Sequence, residues 1–102
     1  MATITITKLH CVRQQDVTGK DEPVIYLAGQ YAWEGKMDND DWEYPNEQRG
    51  FSPSIKVELK EKNGTNNYKL LGSWTVSDTP ATNKKVTASS SGFHYELFYD
   101  VS

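Results

Sequence analysis

From Phe93 to Val101 every second residue is large and apolar: Phe93, Tyr95, Leu97, Tyr99 and Val101, with His94, Glu96, Phe98 and Asp100 between them. A period of two places the first set on one face of a β-strand and the second set on the other. That face needs a core, and other segments carry the same signature. Thr3 to Val12 puts Ile4 and Ile6 on one face, then shifts its apolar phase to Leu9 and Cys11. A bulge near Thr7 or Lys8 reconciles the two halves. Ile55, Val57 and Leu59 alternate with Lys56, Glu58 and Lys60, as in a half-buried strand. Val24 to Ala28 and Tyr31 to Trp33 flank Gly29-Gln30 and read as a hairpin. Tyr68 to Ser77, interrupted by Gly72, and a weaker Lys84 to Ser89 complete the set. No window of about 12 residues shows an apolar period of 3.6.

Short strands separated by turn-rich stretches predict an all-β chain, a single antiparallel β-sandwich of about seven to eight strands spanning residues 1–102. A small barrel is the second choice. Gly35 to Pro53 is the one long stretch without strand character, and long loops in small domains tend to carry function. The core must come from few residues. Apolar side chains are 36% of the chain, and 3 Trp, 6 Tyr and 3 Phe supply much of the bulk.

Charge excludes some functions. Asp plus Glu number 14 against 11 Lys plus Arg, a net charge of −3, which argues against general nucleic-acid binding. No apolar run approaches the roughly 18 residues that cross a bilayer. Met1 to Lys8 alternates Ile with Thr and has no signal-peptide pattern, so a cytoplasmic or non-classically exported chain is expected. Cys11 is the single cysteine, which rules out an internal disulfide. Enzyme signals are poor. His10 follows the first strand's alternation and His94 the last one's, and each reads as structural. Cys11 adjoins His10, but neighbouring strand residues face opposite ways, so they form no dyad. Phosphate-loop, nucleophile-elbow and zinc spacings are absent. A non-catalytic binding module is expected.

Two constellations could carry binding. Asp16, Asp21 and Glu22 surround Gly19 between the first two strands, and a loop with several carboxylates can gather the oxygens that calcium needs. An acidic surface turn is the plain alternative. The second constellation runs from Trp33 to Pro45. Asp38, Asp40 and Asp41 suggest an EF-hand, but Glu43 and Arg49 occupy the positions that require Gly and Glu. Trp42 and Tyr44 in so polar a stretch either fold back over a sheet or, with Trp33, recognise a partner.

Leu9 to Leu27 also resembles the opening of the calcium- and lipid-binding sandwich domains of protein kinase C and synaptotagmin. Asp16, Gly19 and Glu22-Pro23 hold the places of that family's first acidic loop, and Val24 to Leu27 the strand after it. Val57 to Val76 gives a second match, with Glu61-Lys62-Asn63 as the facing loop and Leu71-Gly72 as the next strand's start. Small bacterial sandwich modules share this layout. Lys69 stands where the family usually supplies another Asp. The resemblance implies a calcium ion held by Asp16, Asp21, Glu22, Glu61 and Asn63, bridging to anionic lipid or ordering the loops for a protein. Few basic residues lie near these loops, so membrane contact would require the calcium. The competing expectation needs no metal: a small interaction protein, such as an inhibitor, an immunity-type protein or a toxin or secreted-assembly subunit. Its contact surface would be Trp33, Asp38, Asp40, Asp41, Trp42 and Tyr44.

Overall fold

The computed structural model describes residues 1–14, 19–64 and 67–102. Among them are nine strands: β1 (Ala2–Arg13), β2 (Pro23–Leu27), β3 (Gln30–Glu34), β4 (Asp41–Glu43), β5 (Glu47–Phe51), β6 (Ser54–Lys62), β7 (Tyr68–Ser77), β8 (Ala81–Ser89) and β9 (His94–Val101). They form two antiparallel sheets. One has the order β4-β1-β9-β8, with β5 also on β1; the other has the order β3-β2-β6-β7.

Alternation explains the packing. Ile4, Ile6, Leu9 and Cys11 of β1 and Tyr95, Leu97 and Val101 of β9 face inward. They meet Ile25 and Leu27 of β2 and Ile55, Val57 and Leu59 of β6. The phase shift in β1 is a bulge: Ile6 pairs with Tyr99, and Lys8, not Thr7, pairs with Phe98. One extra residue returns Leu9 to the inner face. The β2–β3 turn places Ala28 at φ 54° and Gly29 at φ 76°, two positive values in succession, as a tight hairpin with right-handed strand twist requires. Gly72 serves close approach instead. A Cβ there would lie 2.6 Å from the Trp74 ring and 2.9 Å from Ala88 Cβ.

Gly35 to Pro53 is not a plain loop. It contains β4, paired through Leu9↔Glu43 to Cys11↔Asp41, and β5, paired through Ala2↔Phe51 to Ile6↔Glu47. Both lie along the same side of β1. As edge strands they are held largely by backbone bonds, and only Phe51 of their side chains is buried, so no apolar alternation marked them.

Candidate functional site

The strand directions bring the connections β1–β2, β3–β4, β6–β7 and β8–β9 to one end of the sandwich. Hydrogen bonds stitch them together. Asp21 and Met37 exchange backbone bonds of 2.9 Å each, and Gly35 N–H donates to the Pro23 carbonyl at 3.1 Å. Lys62 N–H donates to the Glu22 carbonyl at 3.0 Å. Gln14 N–H donates to Asn39 Oδ1 at 2.7 Å, and Arg13 Nη2 reaches the Ser90 and Ser91 carbonyls at 3.0 and 2.8 Å. The acidic first loop, the facing loop and the Trp33–Pro45 strip therefore share one end.

Within that end the acids separate into two groups. Asp21 is 0% exposed and Glu61 1% exposed. Tyr95 Oη donates to Asp21 Oδ2 at 2.6 Å, and Glu22 N–H donates to Glu61 Oε2 at 2.9 Å and Oε1 at 3.2 Å. Burial, then the bond to Asp21, raises the Tyr95 phenol, so it stays a donor. Burial likewise pushes the Cys11 thiol up to about 11, an inert group inside the core. Lys69 pairs in register with Glu61, and its ammonium lies 5.9 Å from the Phe93 ring centre. Asp38 and Asp40 are exposed, and Asp41 is half-buried with Oδ2 accepting from Asp38 N–H at 2.7 Å. Glu22 is half-buried, and Asn63 is exposed with its N–H on the Asn67 carbonyl at 2.7 Å. Asp16 lies outside the described residues.

These positions test the expected calcium. A hard cation needs six or more oxygens converging from several sides. Among the described residues no three His, Cys, Asp or Glu side chains gather in that way. Asp21 and Glu61 are buried and accept protein hydrogen bonds.

The aromatic strip divides as well. Trp33 lies on β3 in the second sheet, half-buried and packed on the core, with its indole over Gly35. Trp42 lies on β4 in the other sheet, on its outward face and 41% exposed; Tyr44 is 67% exposed. Trp42 stacks on His10 with ring centres 3.9 Å apart and planes at 6°, and lies 5.9 Å from Phe98. His10 Nε2 is 2.9 Å from Asp40 Oδ1, and Nδ1 is 3.1 Å from Glu96 Oε1. Lys85 Nζ donates to Glu96 Oε2 at 3.0 Å. The sequence concealed this cluster. It exists only because the registers His10↔Trp42, His10↔Glu96 and Thr87↔Glu96 align four strands. The other sheet's outward face carries a second cluster, in which the Tyr26 ring meets Tyr31 and Tyr68 edge-on and Lys60 lies 4.2 Å above it. A groove of about 480 Å³ at the opposite end is lined by Val76, Ser77, Pro80, Lys84 and Tyr99 among others, and none of the described candidate residues lines it.

Family models and curated proteins give no match to this sequence. Solved structures do. One described as a C2 domain superposes with a TM-score of 0.63 at 11% identity, over 100% of this chain and 99% of that one. The C2A domain of plant extended synaptotagmin 1 gives 0.54 at 10% identity, over 98% and 90%. Human GIVD cytosolic phospholipase A2 gives 0.59 at 14% identity, over 98% of this chain and 16% of the enzyme. The two-sheet arrangement and these superpositions agree: the chain has the fold of a C2 domain.

Proposed function

We propose that this chain is a non-catalytic binding module that meets a protein partner with its loop end and the adjoining β4 edge, without a metal ion. The observation that carries the reading is the coexistence of two features at one end. The four connections are already knit together by protein hydrogen bonds, and Trp42 and Tyr44 stand exposed beside them. Trp42, placed by β4 pairing and stacked on His10, loses little freedom on binding, and Trp and Tyr dominate contact hot spots. In the sequence Glu34, Asp38, Asp40, Asp41 and Glu43 flank Trp42 and Tyr44 with Lys36 alone among them, while Lys8 and Lys85 lie on the neighbouring strands of the sheet. The partner surface is therefore basic, with a recess for the indole.

A calcium form of the same reading would have to draw its oxygens from Asp16, Glu22 and Asn63, since Asp21 and Glu61 are engaged within the protein. Affinity capture from the native extract tests both forms. The wild type should hold a partner equally in calcium and in chelator, and Trp42→Ala with Tyr44→Ala should lose it. A partner released by chelator, or calcium-dependent sedimentation with phosphatidylserine vesicles, would replace this reading with the calcium one.

A further inference from the structure

We propose that His10 is a proton-operated clasp, closed when the imidazole carries both protons, which holds the Asp40–Trp42 segment against the first sheet.

The argument is one of donor counting. Both ring nitrogens of His10 lie within hydrogen-bond distance of a carboxylate oxygen, Nδ1 of Glu96 and Nε2 of Asp40. An ionised carboxylate only accepts, and a neutral imidazole has a single N–H. Both contacts are therefore hydrogen bonds only in the imidazolium, and the parallel stack on Trp42 favours the same cation. His10 leaves only 12% of its side chain to solvent, so water does little to replace a lost contact.

The charged groups around the ring make the closed state specific. Glu96 comes from β9 and is itself tied to Lys85 of β8. Asp40 comes from the β3–β4 connection, and its side chain is 86% exposed. Lys8, the next outward residue of β1, places its ammonium over the Phe98 ring at 5.2 Å. His94 is the preceding outward residue of β9, two positions before Glu96. Asp41 and Glu43 flank Trp42 on β4.

When His10 gives up a proton, one nitrogen must present a lone pair to a carboxylate. Glu96 keeps its second oxygen on Lys85, so the contact that fails is the exposed one, with Asp40. The backbone bond from Asp40 N–H to the Cys11 carbonyl at 2.6 Å and the β4–β1 pairing remain. Opening is therefore local: the Asp40 side chain leaves and the Trp42 ring lifts from the sheet. Its use in partner binding rests on the reading above, but the clasp is a property of the free protein and is measured there.

The experiment is a two-dimensional NMR titration of the isolated chain over about pH 5 to 8, the range in which histidine changes charge. It follows the His10 ring protons and the Trp42 indole N–H, the latter assigned with Trp42→Phe. The two signals should move with one midpoint, and the indole movement should vanish in His10→Gln. Asp40→Asn, an exposed change that leaves the core untouched, should shift the His10 midpoint downward and shrink the indole response. A Trp42 signal that ignores the His10 titration, or a His10 midpoint unmoved by Asp40→Asn, would overturn the proposal. A clasp that titrates as expected, combined with partner capture indifferent to pH, would leave the clasp standing and remove its role in binding.

Discussion

Asp21 and Glu61 lie at the same end of the sandwich as Asp38 and Asp40, and all four are short acidic side chains in connecting segments or strand ends. Their surroundings differ completely. Asp21 and Glu61 are sealed from solvent and accept hydrogen bonds from Tyr95 Oη and Glu22 N–H. Asp38 and Asp40 stand in water beside two exposed rings. The first pair fixes how the loops meet, because a buried acceptor that lost its donor would be costly. The second pair is solvent-facing: Asp38 Oδ1 accepts from Asn39 N–H at 2.9 Å, and Asp40 Oδ1 lies 2.9 Å from His10 Nε2. Acidity alone therefore does not identify a site; what each carboxylate already touches does.

The largest expected effect comes from breaking the buried group. Glu61→Ala removes the acceptor of Glu22 N–H and leaves a cavity, so it should destabilise the protein by about 2–4 kcal/mol in urea unfolding. Tyr95→Phe keeps the ring and deletes the hydroxyl that donates to Asp21 and meets the Cys11 thiol, with an expected cost of about 1–3 kcal/mol. A cost near zero for both would mean that the buried acids do not organise this end.

Glu96 sits between the two extremes, and it sharpens the contrast through pH. His10 first, and Lys85 after it, hold its carboxyl below the usual glutamate range. A carboxylate with a depressed folded-state value stabilises the protein above its unfolded value and loses that contribution as pH falls through the folded one. The wild type should therefore lose more stability than Glu96→Gln between about pH 5 and pH 3, a difference under about 1 kcal/mol because the group is partly solvated. Equal losses in the two proteins would show that the contacts to His10 and Lys85 contribute nothing. The smallest effect belongs to the open acids. Asp38→Asn should change stability by about 0.5 kcal/mol or less, measured by the same unfolding curves. A loss as large as that of Tyr95→Phe would erase the distinction between the groups.

Much of the fold was legible because its signal is local. The alternations in β1, β6 and β9, the phase shift at Thr7 and the hairpin at Gly29 are each written in a few consecutive residues. β4 and β5 were not legible, since an edge strand that buries almost no side chain has no apolar period to show. The convergence of the acidic loops was not legible, since it depends on the strand order of the two sheets. Which acids are buried was hidden too, because Tyr95 reaches Asp21 across 74 positions of sequence. The His10 cluster was hidden for the same reason, as it depends on the register of four strands.

The central proposal is that this end of the sandwich meets its partner without a metal ion, and calcium itself tests it most directly. Thermal melts of the same sample in millimolar calcium and in chelator should coincide. A calcium site with a dissociation constant a hundredfold below the added ion would contribute about 2.7 kcal/mol, which for a domain of this size is a rise of roughly 10 °C or more. Superimposed curves are the predicted result; a rise of that size, reversed by chelator, would contradict the account.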